Sequence, residues 1–197
     1  MSVAGFSSDV YLAELVSALR TIDHAVVDRM AQALVEAQTH GRTVFICGNG
    51  GSAAVASHWA ADLSKLTAVP LQPRLRVLSL TDSAATLTAV ANDFEYSEIF
   101  TDQLRTFMAP GDVVIGISTS GRSPNVLRAL EYAGRHGGVT LGITGEGGAA
   151  LRDLVAIPLV VASTSVQRVE DVAGVVAHLV CLHTRAKIES RSVVFGT

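Results

Sequence analysis

Apolar residues recur in two different rhythms along this chain. From about residue 9 to 39 they return at helical spacing, first as Val10, Tyr11, Leu15, Ala18, Leu19 and Ile22, then as Val26, Val27, Met30, Leu34 and Ala37. That period predicts two amphipathic helices, with Asp23 placed to cap the second. Beyond residue 43 the rhythm changes to short unbroken apolar runs at 44–47, 76–80, 113–117, 139–144 and 154–161. Each reads as a strand, the first of the kind buried on both faces and 113–117 likewise buried. Helix-favouring stretches separate them: from 53 to before Pro70, 84–91, 96–108, 124 to about 134, and 169 to about 188. Ser123 at an N-cap and Pro124 at the first helical position mark one of these starts. Strands alternating with helices predict a three-layer α/β/α sandwich around a central parallel five-stranded sheet, preceded by the two N-terminal helices. In such a sheet, ligands sit beyond the carboxyl ends of the strands.

Composition narrows the function. At 197 residues the chain is read as one domain over 1–197, with 1–40 as a helical extension packed on it or on a neighbouring subunit. Half the residues are hydrophobic (49%) but only 5% are aromatic, so Ala, Val, Leu and Ile must build the core. The net charge of -3 comes with no basic run, which argues against nucleic acid and leaves room for an anionic metabolite held by local groups. Cys47 and Cys181 both lie in apolar segments and read as inert core thiols of a reduced compartment. Neither a signal peptide nor a membrane-length apolar run is visible, so the expectation is a cytoplasmic protein with no membrane partner.

Two loops carry the candidate chemistry. The first, Gly48-Asn49-Gly50-Gly51-Ser52, leaves a strand and enters a helix, where free N–H groups and the positive end of the dipole favour an anion. With Ala53 it fits a dinucleotide fingerprint formally, and Asp82 ends the next strand where a ribose-binding acid would sit. The second, Ser118-Thr119-Ser120-Gly121-Arg122-Ser123, sets four hydroxyls at another strand-to-helix junction, an arrangement suited to a single phosphate. A dinucleotide fold has no need of it. On the helix after the first loop, His58 and Asp62 stand four apart and share a face.

The ordered set Gly-Asn-Gly-Gly-Ser (48–52), Ala-Asn-Asp (91–93), Gly-Ile-Ser-Thr-Ser-Gly-x-Ser (116–123) and Ile-Thr-Gly-x-x-Gly-Gly (143–149) resembles the sugar isomerase (SIS) domain, and within it the phosphoheptose isomerases. The resemblance covers nearly the whole chain. It implies an aldose–ketose isomerase of carbohydrate metabolism that interconverts sedoheptulose 7-phosphate and D-glycero-D-manno-heptose 7-phosphate through an enediol. It also implies a homotetramer with active sites shared between subunits. Carried over residue by residue, it places the phosphate on Ser118, Thr119, Ser120 and Ser123, and the sugar on Asn49, Gly50, Gly51, Ser52, Asn92 and Asp93. It assigns acid/base work to Asp62 and His178, and one zinc per site to His58, Asp62, Glu170 and His178, with Asp62 and Glu170 also touching substrate. Asp62 stands where the family has Glu, shortening the reach by roughly 1.5 Å. Glu170 stands where the family has Gln, an anion in place of a neutral ligand.

Spacing supports this set unevenly. His58 and Asp62 are well placed for one metal, whereas Glu170 and His178 lie about 12 Å apart along an ideal helix axis. Asp171, seven before His178, is a rival ligand. His24, His40, His136 and His183 read as surface residues, Trp59 as core or interface, and Lys65 and Arg122 as solvated charges. Two other readings stay open: an isomerase of a hexose or octose phosphate, and a non-catalytic SIS domain serving as a sugar-phosphate sensor or an assembly factor of the replication-initiation type.

Overall fold

The computed structural model describes residues 5–194. Two helices, α1 (Ser8–Arg20) and α2 (His24–Thr39), lead into β1 (Thr43–Gly48), α3 (Gly51–Leu66), β2 (Arg76–Ser79) and α4 (Ala84–Asp93). A 3-10 turn (Tyr96–Glu98) and α5 (Thr101–Phe107) precede β3 (Val113–Ile117), α6 (Pro124–Arg135), β4 (Val139–Gly145), α7 (Ala149–Arg152), β5 (Ile157–Val161) and α8 (Val166–Val194). Asp23 caps α2 as its sequence position predicts, its Oδ1 accepting from the N–H groups of Ala25 (2.8 Å) and Val26 (3.4 Å).

All five strands are parallel, in the order β2-β1-β3-β4-β5. Side chains alternate across the sheet with a period of two, and each face has its own core. Val44, Ile46, Val113 and Ile115 pack under α2, α3 and α8 with Met30, Leu34, Trp59, Leu63, Val172 and Val176. Phe45, Cys47 and Val114 pack on the other face with Phe100, Leu104, Val126, Leu130 and Leu151 of the α5–α7 side. These two cores make the three-layer sandwich that the alternation of runs predicts.

Beyond shifts of a few residues at helix ends and the short α7, which the sequence reading did not expect, two elements differ from it. The helix expected over 96–108 is broken into the 3-10 turn and α5. Ile99 and Phe100, adjacent in sequence, are both fully buried, and Arg128 gathers Ser97 Oγ (2.7 Å) and Glu98 Oε1 (2.6 Å) before the bend. The strand expected over 154–161 starts only at Ile157, because the N–H of Leu154 closes a turn onto the carbonyl of Leu151 behind α7.

Candidate active site

β1 and β3 are neighbours, with Gly48 beside Ile117 at their carboxyl ends. The chain leaves β1 toward α3 on one face and leaves β3 toward α6 on the other. The loops 49–50 and 118–123 therefore meet at the switch point of the sheet, where α/β folds bind ligands.

The second loop does not spend its N-cap hydroxyl on the helix. Ser123 is the N-cap residue of α6 yet makes no cap bond with its side chain; its Oγ lies 3.0 Å from Ser118 Oγ. Ser120 Oγ accepts from the N–H of Arg122 at 3.3 Å, and Arg122 itself is exposed. The loop is held from behind by the N–H of Ser118 on the carbonyl of Ile143 and by the N–H of Gly145 on the carbonyl of Thr119, both at 3.1 Å. At Gly121, φ is +63°, and a Cβ there would lie 2.3 Å from the Cα of Gly148. Only glycine satisfies both demands.

In the first loop Asn49 forms a reciprocal amide pair with Asn125 of α6, at 2.9 and 2.8 Å, and Tyr96 donates its phenolic O–H to Asn49 Oδ1 at 3.0 Å. Asn49 Oδ1 has thus spent both lone pairs, and one side-chain N–H remains for a ligand oxygen. Asn125, almost fully buried, locks the two loops together. Sequence reasoning missed it; its place at the second position of a helix that starts on a phosphate-type loop was the available signal.

Glu170 reaches the first loop from α8. Its Oε1 accepts from Ser52 Oγ at 3.3 Å, and its carboxylate lies so close to the Gly51 backbone that a Cβ on Gly51 would be 2.2 Å from Oε2. The start of α3, read from sequence as an anion cradle, already faces a carboxylate.

Two turns further along α3, His58 and Asp62 meet His178 of α8. Nε2 of His58 lies 3.2 Å from Asp62 Oδ2, Nε2 of His178 lies 3.5 Å from the same oxygen, and the two nitrogens are 3.4 Å apart. Four tetrahedral ligands at the zinc distances of about 2.0–2.1 Å stand about 3.3–3.4 Å from one another. The three atoms therefore fit three corners of such a site, and two imidazoles with one carboxylate are a donor set suited to zinc. Among the described residues this trio is the group whose ligand atoms converge within 4.8 Å, and Glu170 is not in it. Glu170 as a fourth metal ligand, carried over from the resemblance, is thus not brought to the trio; the two helical turns between it and His178 explain why. Asp171, the rival ligand, accepts the O–H of Tyr11 at 2.5 Å instead. His58 and His178 keep 59% and 53% of their side-chain surface exposed, so the trio is open on the single chain.

The remaining candidates fall around this centre. Asn92 donates to Asp93 Oδ1 (2.8 Å) at the exposed end of α4. Asp82 accepts the hydroxyl of Ser57 (2.5 Å) in a cluster with Ser79 and Thr81 that fastens β2 to α3. Of the other histidines, His40 and His136 bond helix carbonyls with Nδ1, and His183 lies 3.9 Å from Asp28. Trp59 is fully buried core.

Comparison with known proteins places the chain in a family. Residues 10–145 match the family described as the SIS domain. A phosphoheptose isomerase of Solidesulfovibrio magneticus is 41% identical over 160 residues, covering 81% of this chain and 78% of the relative. One from Trichlorobacter lovleyi is 38% identical over 157 residues, covering 80% of each. The solved phosphoheptose isomerase of Neisseria gonorrhoeae superposes with a TM-score of 0.82 at 28% identity, over 92% of this chain and 96% of that one. With the fold, both loops and the similarity over four fifths of its length in agreement, the chain belongs to the SIS domain family, among the phosphoheptose isomerases.

Proposed function

We propose that this protein is a sugar-phosphate aldose–ketose isomerase that converts sedoheptulose 7-phosphate to D-glycero-D-manno-heptose 7-phosphate. The convergence of His58, Asp62 and His178 carries the reading, because it joins groups able to take and return a proton to a fold whose relatives are named for that reaction. The phosphate sits on Ser118, Thr119, Ser120, Ser123 and the start of α6, and holds the open-chain sugar in register so that remote binding energy serves the chemical step. Asn49 donates its free N–H to a sugar oxygen, with Gly50, Gly51, Ser52, Asn92 and Asp93 along the same chain of hydroxyls. Asp62 removes the proton from the carbon beside the carbonyl, and His178 moves the proton between the two sugar oxygens. Asp62 then returns its proton to the neighbouring carbon. His58, Asp62 and His178 would also hold zinc, which when bound would supply a Lewis acid for the carbonyl oxygen in place of the proton carried by His178.

The working form is read as a cytoplasmic homotetramer in which a neighbouring subunit closes the site, with 1–197 acting as one domain. The exposed side chains of Val175 and Leu182 on α8, either side of His178, and of Val10, Leu12 and Val16 on α1 support burial against another copy. The replacement of the family's Glu and Gln by Asp62 and Glu170 favours one second reading, a sugar phosphate of another chain length. The experiment is zinc-supplemented turnover of sedoheptulose 7-phosphate followed by NMR, beside hexose and octose phosphates, with Asp62→Asn and His178→Ala. Turnover lost in both variants supports the assignment. Turnover of a different chain length transfers it to that sugar, and no turnover of any phosphate overturns it.

A further inference from the structure

The two helix starts that meet at the switch point are electrostatically unlike. α3 has Gly50 at its N-cap with φ +57° and no side-chain cap, whereas α1, α2 and α4 are each capped by a side chain, from Ser7, Asp23 and Ser83. The N–H groups of Ala53 and Ala54 turn back onto the carbonyl of Gly50. The charge at this positive end comes from outside the helix, as the carboxylate of Glu170 lying against Gly51 and Ser52. The start of α6 meets no carboxylate in its loop, only the hydroxyls of 118–123 and an exposed Arg122. In the same loop, Asn49 has a side-chain donor to offer and no free lone pair on Oδ1.

We propose that Glu170 is a specificity-determining residue that fixes the charge pattern of the substrate: one phosphate, at the α6 loop, and an uncharged head of hydroxyls and carbonyl at the α3 loop. This rests on the sugar-phosphate reading and goes beyond it by naming what the site refuses. A carboxylate or second phosphate brought to the first loop meets a half-buried like charge within a few ångströms, where solvent screens poorly. Hydroxyl groups meet an acceptor on Glu170 and a donor on Asn49. Sugar monophosphates with a neutral head are therefore taken, while aldonate phosphates and sugar bisphosphates are turned away. The same carboxylate prevents a reversed binding mode, phosphate on α3, that two glycine- and serine-rich helix starts would otherwise permit.

The test uses sorbitol 6-phosphate and 6-phosphogluconate, which differ at the head carbon as hydroxymethyl against carboxylate, titrated calorimetrically into wild type and Glu170→Gln at equal measured zinc content. Because Glu170 also accepts from the head hydroxyls, sorbitol 6-phosphate is expected to lose some affinity in the variant while 6-phosphogluconate gains, so that the ratio of the two affinities shifts at least tenfold toward 6-phosphogluconate. Glu170→Ala should move the ratio of the two affinities in the same direction. In wild type alone, raising the salt should shrink the preference for the neutral head, since the phosphate contribution cancels in the ratio. A ratio unmoved by either variant and by salt overturns the role of Glu170 while the phosphate loop stands. Failure of both ligands to bind wild type overturns the sugar-phosphate reading and this inference with it.

Discussion

Asp62 and Glu170 are both carboxylates on the seam between α3 and α8, yet they answer different partners. Asp62 lies between two imidazoles and Glu170 lies on a helix start, so their loss should be felt differently. His58→Ala removes one corner of the trio without touching Glu170. On the proposed zinc site, zinc measured by mass spectrometry after dialysis should fall from about one equivalent per chain to well below half, since one of the three proposed ligands is removed. The buried amide pair allows a stability prediction. Asn125→Asp leaves Asn49 Oδ1 facing a carboxylate in a position 1% exposed, and should lower unfolding free energy by about 1–3 kcal/mol in a urea titration. At this scale the sequence was only partly legible. His58 and Asp62 announce themselves by their i, i+4 spacing. The tie between Glu170 and Ser52 is fixed by where α8 crosses α3, and Asn125 is an asparagine without a motif of its own.

At the scale of elements, the runs of the central strands β1, β3 and β4 were readable because parallel strands buried on both faces are apolar throughout, whereas the edge strand β2 is half exposed and carries Arg76 and Ser79. The break at 95–100 was not readable, because helical periodicity persists through Tyr96–Met108 while the burial of Ile99 and Phe100 and the bonds of Ser97 and Glu98 to Arg128, thirty residues on, are tertiary. The phosphate loop depends on the loop behind it, and this gives a sharp test. Gly121→Ala forces a Cβ at φ +63° into the backbone of Gly148. The displaced loop should cost about 10²-fold in kcat/KM for the sugar phosphate, a typical penalty for an ångström of misplacement, while the far-UV spectrum is unchanged. Wild-type kinetics in that variant would mean that the loop position does not matter to binding.

For the whole molecule, the two cores decide how the protein meets reagents. Burial pushes the thiols of Cys47 and Cys181 up to about 12, so neither carries thiolate at neutral pH. Iodoacetamide at pH 8 should therefore label neither cysteine in the folded protein and both within minutes in denaturant, by mass spectrometry. No described helix is long and apolar enough to cross a membrane. The placement of α8 has a consequence for how the protein comes into being. The bonds between Ser52 and Glu170 and between His58 and His178 join residues 118 and 120 positions apart, and α8 follows all five strands in the chain. A chain emerging from the ribosome can form β1 to β5 and still own half of each pair, so competence arrives only once α8 has been made. Closing such distant contacts is slow. Recovery of turnover during refolding should accordingly trail recovery of helical signal, making activity a report on the completed fold.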